Sequence, residues 1–182
     1  MSILKLEFSQ VAYQIDLAVF LIIPLMSLGV LWWACPAGEG WGVLAALILG
    51  FIGWTLLEYG LHRFVLHHVS PFKQWHSAHH EAPDLAVGTP TWVSLSLVAL
   101  VIFLPTYWLM GLWLGAGFGV GLLIGYGIYT WLHHAEHHWR SNVPWFRRLK
   151  RMHAIHHHTF NESNYGVITL FWDRVFGTYR GK

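Results

Sequence analysis

The sequence predicts an all-α integral membrane protein. Of its 182 residues, 55% are hydrophobic and only 11% are charged, which lies outside the usual range of soluble domains. Four apolar runs are candidates for membrane-crossing helices, and the first has about the 20 residues that a helix needs to cross a bilayer. All fourteen histidines fall in four clusters between residues 62 and 158, whereas Cys35 is the single cysteine. We therefore expect one membrane-embedded domain over residues 1–182, with four transmembrane helices and a histidine-rich helical cap.

The first two runs predict two long helices. Residues 1–14 form a short lead-in, and residues 15–34 are apolar apart from Asp16. The turn-forming stretch 35–40 separates this run from the second, which begins at Trp41 and continues with helical character to Val69. At the helical rise, residues 41–69 span roughly 43 Å, more than the roughly 30 Å of a hydrocarbon core. The histidine end of this helix should therefore project beyond the apolar layer.

The third and fourth runs predict a helical hairpin. Residues 70–90 are polar and contain three prolines, and the third run covers residues 92–114. The glycine-rich stretch 115–119 is too short to hold a domain, so the fourth run, 120–132, should fold back on the third. This run leads directly into the third histidine cluster. A basic segment, the fourth cluster and a tail that ends in FWDRVFGTYRGK complete the chain.

The distribution of basic residues predicts the topology. The turns at 35–40 and 111–119 contain no Lys or Arg, so all eleven basic residues lie on the side of the termini and the histidines. The positive-inside rule makes that side cytoplasmic. Tryptophans near the ends of the runs, such as Trp32, Trp41 and Trp108, are typical of an interfacial belt. Two spanning and two re-entrant helices are the alternative arrangement.

The spacing of the histidines indicates metal ligands on helices. Offsets of three and four residues put side chains on one helical face, and the second and fourth clusters both have the pattern H-x-x-H-H. A pair five residues apart in the first cluster lies about 140° around an ideal helix, so its members would reach different metals or require a local bulge. Ten histidines follow these patterns: His62, His67, His76, His79, His80, His133, His137, His153, His156 and His157.

The number of ligands points to two ions. Ten neutral imidazoles shared between two ions give about five ligands each, which suits iron better than tetrahedral zinc. The other four histidines neighbour these ten, and in the third cluster His134 and His138 have the same spacing as His133 and His137. The register of that cluster therefore stays open. Loose histidine-rich tracts that buffer metals are the simpler alternative, but these clusters have helical offsets.

The order of the motifs resembles the fatty acid hydroxylase / sterol desaturase superfamily of membrane histidine-box enzymes. The chain has E-Y-x-L-H-R-x-x-x-H at residues 58–67 and H-x-x-H-H-x-x-P-x-D at 76–84. It continues with H-x-x-x-H at 133–137, H-x-x-H-H at 153–157 and W-D-x-V-F-G-T at 172–178. The family's ligand pattern transfers to the ten histidines already named. Relatives that act on sphingolipid fatty acids often have Asp where this chain has Thr130, and the stretch 161–166 is more similar to the sterol-desaturase and alkylglycerol-oxygenase branches.

The resemblance implies an O2-dependent enzyme that hydroxylates or desaturates a lipid or acyl chain. Two iron ions would carry the chemistry, with no catalytic side chain beyond the metal centre, and zinc would readily occupy the same site in a purified sample. The partners would be the lipid, the membrane and a separate electron-donor protein, cytochrome b5-like or ferredoxin-like, with no nucleic acid. A basic segment at residues 146–151 is typical of membrane-surface attraction and is also a candidate docking site for that donor.

Other side chains have expected supporting roles. Five carboxylates near the clusters are expected to orient imidazoles through their N–H groups: Glu58, Glu81, Asp84, Glu136 and Asp173. Six apolar residues are candidates for the lining of a channel for the alkyl chain: Phe51, Trp54, Leu57, Leu61, Phe103 and Trp131. A carotenoid-ring hydroxylase is the alternative enzyme, and a membrane metal-binding or transport protein is the non-enzymatic one. Residues 17–34 and 92–132 contain no ionisable acid or base of the kind that marks an ion path, which argues against transport.

Overall fold

The computed structural model describes residues 10–83, 96, 98–158 and 162–181, and within these ranges it contains helices and loops but no strand. The all-α prediction is confirmed for this part of the chain. Six α-helices follow one another: α1 (Gln10–Ala34), α2 (Gly40–Gly60), α3 (Phe72–Glu81), α4 (Leu104–His138), α5 (Pro144–His158) and α6 (Phe171–Val175). Two π-helices join them, Leu61–Leu66 directly after α2 and Val98–Phe103 directly before α4.

Three stretches of the described residues are long and apolar enough to cross a membrane. They are Gln10–Ala34, Gly40–Leu66 and Val98–His138. The first begins five residues before the predicted start at Ile15, and residues 1–9 of the predicted lead-in lie outside the described residues. Large apolar side chains on these helices are exposed, including Trp32 and Trp108 at 90% and 80%. Such extensive apolar exposure is typical of a surface that contacts lipid rather than water.

The third stretch is two helical segments rather than one. Gly111 interrupts α4 with φ 77° and ψ 177°, a conformation that is essentially restricted to glycine. After this break the chain folds back on itself. The two segments are so close that a Cβ at Gly115 would contact the backbone of Thr106 and Tyr107, and one at Gly119 would contact Phe103. The reversal is therefore centred on Gly111, the first residue of the turn expected at 111–119, and not on the glycine-rich stretch 115–119.

The glycines after the reversal serve helix packing. A Cβ at Gly121 would overlap the Leu47 carbonyl, and one at Gly50 would overlap the carbonyl of Phe118. These positions let the backbones of α2 and α4 approach more closely than any larger residue would allow. The clustering of glycine in this part of the sequence thus reflects a helix–helix contact, which the sequence interpretation took for a turn.

The chain divides into two compact units. One comprises Val11–Trp54 and Thr89–Ile128, and its buried core contains Leu31, Val43 and Val120. The other comprises Met1–Gln10, Thr55–Gly88 and Tyr129–Lys182, and all fourteen histidines belong to it. The core of this histidine unit is formed by Leu149, Met152 and Leu170, to which α5 and the loop before α6 contribute.

Candidate metal centre

Ten histidines of the histidine unit converge in two groups of five. Within each group one ring nitrogen per residue lies within 4.8 Å of the corresponding nitrogen of every other member. The first group is His62, His67, His76, His80 and His156, and the second is His79, His133, His137, His153 and His157. The structure thus brings together all ten of the histidines selected by spacing.

The π-helix at Leu61–Leu66 explains how residues five apart reach the same group. On an ideal α-helix His62 and His67 would point about 140° apart, but the wider turn of a π-helix brings residues at i and i+5 back to nearly the same face. Their Nε2 atoms lie 3.0 and 3.1 Å from Nε2 of His76, and their rings are 5.3 Å apart. Of the two possibilities that the sequence left open, the local bulge is the one observed.

Helices α3 and α5 each contribute to both groups. On α3, His76 and His80 are four residues apart and join the first group, whereas His79 joins the second. On α5, His153 and His157 join the second group and His156 joins the first. The groups are neighbours, since the rings of His80 and His157 stack at 4.1 Å with 14° between their planes. The repeated H-x-x-H-H pattern therefore contributes histidines to two adjacent groups rather than to one.

The register of the third cluster is visible on α4. His133 and His137 point into the second group, where their Nε2 atoms are 3.3 Å apart. His134 and His138 lie on another side of the helix and contact each other, with ring centroids 4.5 Å apart. The remaining two histidines, His68 and His158, are exposed. His68 lies 3.7 Å from the carboxylate of Glu162.

Backbone carbonyls fix the tautomers of two first-group histidines. Nδ1 of His62 is hydrogen-bonded to the Tyr165 carbonyl, and Nδ1 of His156 to the Ser163 carbonyl at 2.8 Å. A carbonyl only accepts, so Nδ1 carries the proton and Nε2 presents its lone pair to the group. The Tyr165 ring lies 5.5 Å from the rings of His62, His67 and His156 and is fully buried. Sequence reasoning noticed this stretch but missed its role, because a carbonyl acceptor has no residue signature.

Two of the predicted carboxylates act on this loop rather than on imidazoles. Asp173 is fully buried and accepts hydrogen bonds from the backbone N–H groups of Tyr165 and Gly166, at 2.8 and 2.9 Å, and from Thr178 Oγ1 at 2.8 Å. Glu58 accepts from the N–H groups of residues 167 and 168. The expectation that these two carboxylates bond imidazole N–H groups is therefore wrong. They hold the loop that carries the carbonyl acceptors, one step further from the histidines.

The other three carboxylates have different outcomes. Both Glu136 oxygens are buried without a hydrogen-bond partner, and Oε2 lies 3.7 Å from Nδ1 of His153, which is also unpartnered. This distance is too long for a hydrogen bond, but Glu136 is the carboxylate placed to orient His153. Glu81 is exposed at the end of α3. Asp84 lies outside the described residues.

The residues proposed to line a channel are not uniformly buried. Trp54 is buried and packs on Tyr126 with ring centroids 4.8 Å apart, whereas Leu61 and Phe103 are exposed at 36% and 38%. The other three, Phe51, Leu57 and Trp131, are half-buried. A lipid channel lined by these six residues stays a prediction.

Burial keeps the imidazoles of the cluster neutral. It lowers the pKa of His79 and of His156 to about 3 and that of His80 to about 4, and neighbouring histidines lower them further. The same causes hold the pKa of His76 and of His153 well below the usual value. At neutral pH these five histidines are therefore uncharged, which is the form that binds a metal ion.

The spacing of the nitrogens fits metal coordination. Ligand nitrogens about 2.1 Å from an ion in octahedral geometry lie about 3.0 Å from their neighbours and about 4.2 Å from the opposite nitrogen. The closest Nε2 pairs in the two groups are 2.9 to 3.3 Å apart. The Nε2 lone pairs of His62 and His156 face the first group, where a metal ion can accept them. The donor set and its geometry therefore fit two metal ions.

Comparison with known proteins gives consistent results. The fatty acid hydroxylase family model matches residues 47–178. The chain is 33% identical to a dihydroceramide fatty acyl 2-hydroxylase of Arabidopsis thaliana, over 72% of this chain and 59% of the plant protein. It is 35% identical to a ceramide very long chain fatty acid hydroxylase of Saccharomyces cerevisiae, over 73% of this chain and 37% of the yeast protein.

A solved structure is similar along nearly the whole chain. The hydroxylase domain visible in full-length Scs7p superposes with a TM-score of 0.79 at 27% identity, covering 93% of this chain and 67% of that one. The chain spans only about two fifths to three fifths of the length of the two curated relatives. None of these names is that of a sterol desaturase, so the interpretation of residues 161–166 as pointing to that branch finds no support among them.

Proposed function

The chain belongs to the fatty acid hydroxylase family, and from that premise we propose that it is a membrane-bound, non-haem di-iron oxygenase that hydroxylates the fatty acyl chain of a lipid. The observation that carries the proposal is the convergence of ten histidines in two groups of five, in a chain of this family. The names of the relatives favour hydroxylation over desaturation and do not favour a carotenoid ring as substrate. They also suggest C2 of the acyl chain as the position and a ceramide-type lipid as the substrate.

The two groups are the proposed ligand sets. His62, His67, His76, His80 and His156 would hold one iron, and His79, His133, His137, His153 and His157 would hold the other. Five ligands leave one position open on an octahedral ion, which O2 or substrate needs. Bound iron would supply O2 activation and the removal of hydrogen from an unactivated C–H bond. Overall, R–H, O2, two electrons and two protons give R–OH and water, so a separate carrier must deliver both electrons.

The protein's own residues would position and protect this centre. The Tyr165 and Ser163 carbonyls orient His62 and His156, and Asp173 and Glu58 hold the loop that carries these carbonyls. The buried ring of Tyr165 packs against three histidines of the first group and would shield that side of it from water. Such outer partners commonly change metal affinity by about 10- to 100-fold when they are removed.

The proposed topology has four membrane crossings with the termini and the metal site on the cytoplasmic side. The chain reversal at Gly111 supports it, since the stretch Val98–His138 then supplies two segments instead of one. The absence of Lys and Arg from residues 35–40 and 111–119 also supports it. Accessibility labelling of single cysteines in these two turns from the external side tests the topology, and cytoplasmic labelling would contradict it.

Lipid analysis of expressing cells tests the activity. The full chain is expressed with iron, a reductant and an electron carrier, and hydroxylated acyl chains are measured by mass spectrometry. The wild type is expected to form them, and His156→Ala is expected to form none. His158→Ala is the matched control, because this exposed histidine two positions further on α5 belongs to neither group. Lipid profiles that are identical for wild type and His156→Ala would overturn the proposal.

A further inference from the structure

The histidine unit has an open basic cleft away from the converging imidazoles. The cleft has a volume of about 830 Å³, and neither Asp nor Glu lines it. Neutral residues such as Met152 and Tyr179 form part of its wall. Its cationic residues are Arg140, Arg147, Arg148, Lys150 and Arg151.

The arginines of the cleft form no ion pair within the described part of the chain, whereas Lys150 interacts electrostatically with the buried Glu136 carboxylate. The ion pairs found there involve histidines with Glu162 and Glu136, and none reaches the five cations of the cleft. Arg148 instead donates to the Tyr179 hydroxyl at 3.2 Å and lies over its ring. Arg147 and Arg151 are exposed and one helical turn apart on α5. The four arginines of the cleft, which form no ion pair there, produce a positive potential that attracts an acidic partner.

The floor of the cleft lies directly behind the second histidine group. The Lys150 ammonium donates to the Trp139 carbonyl at 2.8 Å and lies 3.5 Å from the carbonyl of His137. Met152, which lines the cleft, is covalently followed by His153. One face of α5 therefore carries the exposed arginines, while another carries histidines of both groups. A protein seated in the cleft would be separated from His137 and His153 by little more than the backbone.

We propose that this cleft is the docking surface for a small acidic protein that carries one electron at a time. The inference rests on the proposed function, because hydroxylation consumes two electrons for each O2 and a separate carrier must deliver them. An anionic membrane surface would also be attracted by these arginines. Attachment to a membrane would not require the cleft to lie close to the histidines. Electron transfer does require a short path, and the contact of Lys150 with the His137 carbonyl shows that the cleft is close to the second group. The carrier is therefore the occupant that the arrangement favours.

Binding of a defined carrier tests the proposal independently of turnover. The probe is a soluble cytochrome b5 haem domain, and its Kd for the detergent-solubilised full chain is measured at several salt concentrations. Reversing two charges in Arg147→Glu/Arg151→Glu is expected to raise Kd about tenfold or more at low salt and to flatten its salt dependence. Lys73→Glu is the control, since this exposed lysine on α3 does not line the cleft. An unchanged Kd in the double variant would overturn the proposal.

Two further measurements separate the remaining explanations. If the double variant loses binding to phosphatidylserine vesicles but keeps its Kd for the carrier, the cleft contacts the membrane and the proposal is wrong. Turnover is compared with the carrier and with dithionite as electron source, and the ratio of the two rates is expected to fall about tenfold in the double variant only. If the wild type forms no hydroxylated lipid with either donor, the proposed function fails, while the Kd values still decide the docking surface.

Discussion

Asp173 is expected to control metal binding without touching a histidine. Its carboxylate accepts three hydrogen bonds at 2.8 to 2.9 Å, two of them from the loop whose Tyr165 carbonyl is bonded to His62. In Asp173→Asn one of the three donors must face the new amide N–H₂. A hydrogen bond to a charged group contributes about 1.5–3 kcal/mol, and a buried unpaired donor costs about 1–3 kcal/mol. We therefore expect a loss of about 3–5 kcal/mol of unfolding free energy.

The loss of loop position should be visible in metal affinity as well as in stability. Displacement of the Tyr165 carbonyl would free the His62 ring to rotate, and the affinity of the first group should fall about 10- to 100-fold. The assay is competition with a chelator, followed by metal analysis of the protein. Glu81→Gln is the control, because this carboxylate is exposed on a helix that also carries ligands. Chelator resistance of Asp173→Asn equal to that of the wild type would refute the proposed role of the loop.

Three further changes test other parts of the structure. Metal-free protein should lose stability as the pH falls below about 6.5. Burial lowers the pKa of His79, His80 and His156 to about 3 to 4 in the folded state, so the unfolded chain binds protons first. A melting temperature that does not change between pH 7 and pH 5 would contradict this. His137→Ala should lose one metal ion per chain, whereas His138→Ala should keep both, and equal losses would refute the register on α4. Gly121→Ala should lower the melting temperature by several degrees, because its Cβ would overlap the Leu47 carbonyl. Gly29→Ala is the control and should leave the melting temperature equal or raise it, because no atom lies within 4 Å of the added Cβ.

The choice of ligands was predictable from sequence because their side chains carry the pattern. Helical offsets selected the ten histidines that the structure brings together. Periodicity alone did not predict how they divide, since His76 and His79 lie on one helical face yet join different groups. Nor did it decide whether His62 and His67 share a group, because this depends on a π-helix that widens the turn by one residue.

The supporting contacts were less predictable because they depend on backbone atoms. The acceptors for His62 and His156 are carbonyls, which every residue has, so Tyr165 and Ser163 had no distinguishing signature. Two of the carboxylates near the clusters were given the wrong role. Glu58 and Asp173 were expected to bond imidazole N–H groups but bond backbone N–H groups instead. The glycines of this region could not be interpreted from sequence alone, because glycine allows both the reversal at Gly111 and the close helix packing further along α4.

Metal stoichiometry of the purified full chain tests the central claim most directly. The protein is loaded anaerobically with ferrous iron, separated from unbound metal and analysed for iron per chain by mass spectrometry. Two five-histidine groups predict two ions in the wild type, and zinc loading under the same conditions should give the same number. The double variant His153→Ala/His157→Ala, which leaves the first group intact, should retain one ion. A single ion in the wild type, or two in this variant, would contradict the two-site arrangement.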